Sequence, residues 1–235
     1  LGSDTYNNGK ISYEMVEELC DVLAGFAGIM KSYKVTEYRA YATSAMREAR
    51  NNRIVLDQIR VRTGIQVRII SNSEQRFLGY KAIAVSDDEF DENIQQGTAI
   101  VDVGFGSMQA SLFDKDALVS TQNLPLGVLR LRELIAHEKL TQQGAQRLFS
   151  TLRRWLVDNE LENYKKMYLK DKKIKHLIGI GENILYLFRY EDHGKPLRRV
   201  TRERFDEFYA RLVTMNETQI EEAFGVSREY ASLLL

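Results

Sequence analysis

A chain of 235 residues, 44% apolar and 28% charged, is long enough for one large domain or two lobes around real cores. Lys plus Arg and Asp plus Glu each number 33, so no global field draws the protein to nucleic acid or to an anionic membrane, and any anion affinity must be local. A lone cysteine, Cys20, excludes a disulfide framework; the lack of an apolar run of membrane-spanning length and of a signal-peptide pattern points to the cytoplasm.

Residues 11–33, ISYEMVEELCDVLAGFAGIMKSY, space Met15, Leu19, Val22, Leu23, Phe26 and Met30 as one face of an amphipathic helix. VTEYRAYAT from Val35 predicts a strand, REARNNRIVLDQIRVRTG a helix closed by a cap at Gly64, IQVRII a second strand and SEQRFLGYKAIAVSD another helix. The acidic run DDEFDENIQQG then marks a lobe boundary, giving lobes of residues 1–95 and 96–235. From Thr98 three β-like runs, 98–103, 108–114 and 117–124, are separated by short turns and predict an antiparallel meander. Helical patterns at 128–138 and 141–158, a strand at IKHLIGIG and a helical C-terminal third, with Thr201 as an N-cap, complete the chain. A meander followed by alternating helices and strands is the layout of a ribonuclease-H-like lobe. The second lobe is expected to be complete, with five strands, and the first to lack its opening meander. Such a first lobe is expected to be either more mobile or buried against a second copy in a homodimer.

Chemistry concentrates in a few stretches. In GTAIVDVGFGSMQASLFD, Gly104 and Gly106 allow positive φ and close backbone approach, so the amides of this turn, with the Ser107 hydroxyl, suit a phosphate; the same spacing also serves a plain hairpin. Asp102, a carboxylate inside an apolar strand, is costly unless it faces a cation or water. In YATSAMREARN, Thr43, Ser44 and Arg47 sit where a strand gives way to a helix, the usual place for receiving an anion, though Ser44 also suits an N-cap and Arg47 an ion pair. Lys165, Lys166, Lys170, Lys172, Lys173 and Lys175 form either a polyanion track or a solvated helix end, and Tyr164 and Tyr168 read as core contacts. His137, His176 and His193 share no metal-ligand spacing.

Taken together these stretches resemble the exopolyphosphatase/guanosine pentaphosphate phosphatase (Ppx/GppA) family of the actin and sugar-kinase superfamily. ATSAMREARN is similar to that family's A-T-S-A-x-R-x-A-x-N, IISNSEQ to I-S-G-x-E-E, VDVGFGSMQ to D-I-G-G-G-S-T-E, and LPLGVLRLRE to the following L-G-x-x-R-L. The resemblance implies the actin-like ATPase fold with two ribonuclease-H-like lobes. It also implies polyphosphate or guanosine phosphates as ligands, Mg²⁺ held at Asp102, and phosphate contacts from Thr43, Ser44, Arg47, Gly104, Gly106 and Ser107. The departures bear on activity. Two glutamates that the family uses around the attacking water and metal are Gln75 and Gln109 here, and Glu74, beside Gln75, points about 100° away on a helix. Phe105 replaces the middle loop glycine and is expected to crowd the turn, and GIGEN brings Glu182 and Asn183 to a third phosphate loop. The family's first phosphate hairpin, D-x-G-S-N-S, is expected ahead of residue 1. The implied function is therefore a catalytically impaired module binding polyphosphate or guanosine phosphates, with no membrane and no specific nucleic acid as partner. The alternative is an active Mg²⁺-dependent phosphohydrolase. An actin-like kinase is weaker, since no adenine pocket is singled out.

Overall fold

Strand and helix signals sort the chain into two units, Leu1–Asp87 and Asp88–Leu235, each with its own sheet. A computed structural model describes residues 1–137, 151, 154–170, 172–182, 184, 186 and 199–234.

The first unit opens with a helix that polar GSDTYNN does not advertise, α1 (Gly2–Asn8), ended by Gly9 at φ 70°. Side chains hold it: Thr5 Oγ1 donates to the Ala45 carbonyl at 3.1 Å, and Asp4 accepts from both the amide and the hydroxyl of Ser12. Ser12 in turn caps α2 (Tyr13–Ser32), accepting from the Met15 amide. The buried face of α2 is Val16 and Cys20, with Met15, Leu19, Leu23, Ala27 and Met30 packed beside them in a core shared with Val55 and Ile59. Val22 and Phe26, expected on that face, are exposed; the stripe is centred one position later, on Val16, Cys20, Leu23 and Ala27.

β1 (Ala40–Ala42) pairs in parallel with β2 (Val67–Ile69), Tyr41 opposite Arg68. Only three residues of the strand expected from Val35 are paired, because β2 is the one partner this strand has among the described residues. The single helix expected after β1 is two, α3 (Ser44–Glu48) and α4 (Asn52–Thr63). The break is enforced from outside. The Asn51 amide brackets the Ile11 backbone, accepting from its N–H and donating to its carbonyl, while the Arg50 amide bonds the Gly9 carbonyl. Gly64 caps α4 at φ 74°, as expected, and α5 (Asn72–Ser86) begins in a capping box between Ser71 and Glu74.

In the second unit, α6 (Phe90–Gln95) lies within the acidic run and buries Phe90 and Ile94 against the sheet. The meander has the expected bounds: β3 (Thr98–Val103), β4 (Met108–Asp114) and β5 (Ala117–Leu124). β6 (His176–Ile180) lies parallel to β3, giving the order β5-β4-β3-β6. The described residues thus hold four strands in this unit where five were expected. α7 (Val128–His137) follows the meander, and most of the helical pattern expected at 141–158 lies outside the described residues. Two π-helical turns, Leu156–Leu161 and Lys165–Leu169, flank the short helix Glu162–Tyr164. The chain closes with α8 (Arg202–Leu212), capped by Thr201 as expected, α9 (Glu217–Phe224) and α10 (Arg228–Leu234).

Candidate functional site

The turn between β3 and β4 is shaped by the helix that follows the meander. Within it the Gly104 amide donates to the Ser107 carbonyl at 3.0 Å. The first turn of α7 then takes up its carbonyls: Val128 N–H donates to Gly104 at 3.2 Å, Leu129 and Arg130 N–H donate to Phe105 at 3.0 and 3.2 Å, and Arg130 Nε donates to Gly106 at 2.8 Å. In a trans peptide the N–H lies opposite the carbonyl, so three successive amides, of Phe105, Gly106 and Ser107, are turned away from α7. None of the three donates to a protein acceptor among the described residues. Successive amides left unengaged in this way are an arrangement suited to an anion.

Glycine serves this turn in a way the sequence alone does not indicate. Neither Gly104 nor Gly106 has a positive φ. The indispensable glycines are its neighbours. A Cβ on Gly127 would stand 2.2 Å from the Phe105 carbonyl oxygen, and one on Gly181, itself at φ 125°, 2.4 Å from the Val103 oxygen. Phe105, expected to crowd the turn, sends its ring to α10, where it meets Tyr230 edge-on at 6.4 Å. The Tyr230 ring also packs against that of Tyr186 at 5.3 Å; burial first, then the charge of the exposed Glu182, pushes the phenol well above its ordinary range. Of the departures from the family pattern, Phe105 thus packs on Tyr230, and Glu182 lies near enough to act on the same phenol. Asn183 lies outside the described residues.

Beside the turn runs a polar row across three strands. Asp102 on β3 pairs in register with Gln109 on β4, which pairs with Asn123 on β5, so the three side chains share one face of the sheet. Asp102 is half-buried, and burial alone pushes its carboxyl up. Gln109 is only 2% exposed, yet neither its Nε2 nor its Oε1 has a partner among the described residues, and the buried Asn123 Oδ1 has none there either. Ser107, two residues before Gln109, is also buried. Asn123, Gly127, Arg130 and Tyr230 escape sequence reasoning. The strand alternation of 117–124 could have placed Asn123 in the row; nothing local flags the others.

The first unit holds the remaining candidates. Thr43 is exposed at the start of α3 without capping it through its side chain, and the Ser44 hydroxyl bonds the Tyr6 hydroxyl at 3.0 Å. Arg47 makes no ion pair among the described residues. Its guanidinium donates to the Ile70 carbonyl at 2.6 Å and to the Asn72 side chain, tying α3 to the end of β2. Glu74 is committed elsewhere: it accepts from the Ser71 amide and from Arg68, and these bonds, the backbone one first, hold its carboxyl below the ordinary range. Gln75 Oε1 is buried without a partner among the described residues. An open groove of about 930 Å³ runs along β1, lined by residues including Tyr38, Arg39, Tyr41 and Arg68, and shares none with the Arg47 cluster. Of the lysine cluster in the second unit, Lys165 pairs with Glu162, Lys172 with Asp114, and Lys175 bonds Gln96.

The Ppx/GppA phosphatase family model matches residues 1–235. An exopolyphosphatase 1 of Mycobacterium leprae is 30% identical over 235 residues, covering 97% of this chain and 66% of that protein. A bifunctional 3-dehydroquinate synthase/phosphatase of Fusobacterium nucleatum is 24% identical over 172 residues, covering 71% of this chain and 25% of that protein. The chain therefore spans between a quarter and just under two thirds of the length of these relatives. Among solved structures, the Ppx/GppA family member of Aquifex aeolicus superposes with a TM-score of 0.68 at 20% identity, over 100% of this chain and 74% of that one. An exopolyphosphatase of Cytophaga hutchinsonii gives 0.75 at 17%, over 97% and 73%. The fold is the actin-like ATPase fold, in agreement with the sequence-based expectation.

Proposed function

Because the chain belongs to the Ppx/GppA phosphatase family, we propose that it acts as a cytoplasmic binding module for the terminal phosphoryl groups of inorganic polyphosphate or guanosine phosphates and does not hydrolyse them. The observation that carries this reading is a pair of amides, the half-buried Gln75 and the buried Gln109, where hydrolysis needs carboxylates. An amide accepts no proton at neutral pH, and loss of a positioned base costs roughly 10² to 10⁴ in rate. Glu74 is a poor replacement, being held ionised by Ser71 and Arg68, which weakens it as a base. Binding is supported by what remains: three unengaged amides at Phe105, Gly106 and Ser107, fixed in orientation by α7.

Mg²⁺, which the family's chemistry calls for, fits these residues badly. The row beside the turn offers one carboxylate, Asp102, and two neutral amides, and no group of three His, Cys, Asp or Glu side chains suited to a metal occurs among the described residues. Hard divalent cations depend on the charge of their oxygen ligands. Equal numbers of acidic and basic residues, and the lack of any described helix long and apolar enough to cross a membrane, fit a small polyanion as partner better than nucleic acid or lipid.

Phosphate release from polyphosphate and guanosine pentaphosphate with Mg²⁺ tests the proposal. The rate should match buffer. Turnover near 1 s⁻¹, roughly the low end for ordinary enzymes, that disappears in Asp102→Ala would establish the active phosphohydrolase instead.

A further inference from the structure

We infer that this protein takes up a phosphoryl group without a divalent cation, the Gln109 side-chain amide donating to it directly. The inference rests on the reading of the β3–β4 turn as an anion site. Gln109 is 2% exposed and its side-chain amide has no hydrogen-bond partner among the described residues. A buried primary amide with no partner is an expensive arrangement, relieved when a ligand supplies the missing acceptors. The register puts Asp102 on one side of it and Asn123 on the other, and β4 runs back from it to Ser107 and the free amides of the turn.

The chemistry of position 109 decides what that ligand needs. A carboxylate here would repel phosphate oxygens and hold them only through a shared cation. An amide reverses the requirement: Nε2 carries two N–H donors, and with the amides of Phe105, Gly106 and Ser107 it makes a donor set matched to an oxyanion, while the charge needed to retain a divalent ion shrinks to Asp102 alone. Gln109 thus replaces a metal bridge with a direct hydrogen bond.

Isothermal titration with a short polyphosphate, in EDTA and in Mg²⁺, decides the matter when the polyphosphate's own Mg²⁺ uptake is subtracted by a blank titration. Wild type should bind with the same Kd in both, within about twofold. Gln109→Glu should bind at least about tenfold more weakly in EDTA and recover in Mg²⁺, as expected when a restored carboxylate again needs a bridging ion. Wild-type binding that weakens tenfold or more in EDTA overturns the inference, as does a Gln109→Glu protein that binds normally in EDTA. Absence of binding in both conditions overturns the anion-site reading as well. Should Gln109→Glu fail to fold, Mn²⁺ titration of the wild type followed by electron paramagnetic resonance serves alone: no site tighter than about millimolar is expected, and a tighter one lost in Asp102→Asn overturns the inference.

Discussion

Two charged side chains show how position outweighs type. Asp102 has a raised carboxyl because burial disfavours its ionised form. For an acid shifted this way, stability is fully present below the unfolded value and is lost as pH rises through the folded one. Asp102→Asn should therefore unfold at a higher temperature than wild type at neutral pH, with the gap closing below the ordinary aspartate range. A variant less stable than wild type at neutral pH would show that the carboxylate is compensated after all. Arg47 invites the opposite expectation from sequence, an exposed cation free for anions, and instead spends two guanidinium nitrogens on Ile70 and Asn72. Arg47→Ala should cost about 1–3 kcal/mol in urea unfolding, the usual range for hydrogen bonds to a charged group in a partly buried site. Both residues were legible as candidates, since each breaks the local pattern, but the partners of Arg47 lie far along the chain, and no spacing rule points from Arg47 to Ile70.

The helices and strands divide by the kind of signal that makes them. β3, β4 and β5 could be placed from the sequence because short β-like runs interrupted by turn residues are a local code. α1 could not, because its seven residues are polar and its stability comes from Thr5, Asp4 and Ser12 contacts beyond itself. The break between α3 and α4 is hidden for the same reason, being imposed by Gly9 and Ile11. Glycines separate the two cases sharply. Gly25 sits mid-helix in α2, where an added methyl group would meet nothing within 4 Å, whereas a methyl on Gly127 would meet backbone atoms of the turn at 2.2–2.3 Å. Gly25→Ala should stabilise by roughly 0.5–1 kcal/mol through helix propensity. Gly127→Ala should destabilise by about 1–3 kcal/mol, the usual cost of overpacking, and weaken polyphosphate binding, since α7 must back away and release the carbonyls that orient the turn. Equal behaviour of the two variants in thermal unfolding would refute the role given to α7.

Across the protein as a whole, charge balance decides how an anion can be held. Equal acidic and basic totals leave no long-range attraction, so affinity must come from groups at the site. The lysine cluster at 165–175 is the obvious exception, yet three of its six members are already engaged, by Glu162, Asp114 and Gln96. The groups proposed to meet the phosphoryl oxygens, backbone amides and Gln109, are neutral donors. Binding through neutral donors releases few counterions, whereas each lysine that neutralises a phosphate adds nearly one unit to the salt slope. A plot of log affinity for short polyphosphate against log salt concentration should therefore have a slope shallower than about −2. Charge reversal of Lys166 and Lys170 together should leave that slope unchanged within about half a unit. A slope near −6, roughly one unit per lysine of the cluster, or its collapse in the reversed variant, would move the binding surface from the turn to the cluster and remove the basis for assigning the anion to β3 and β4.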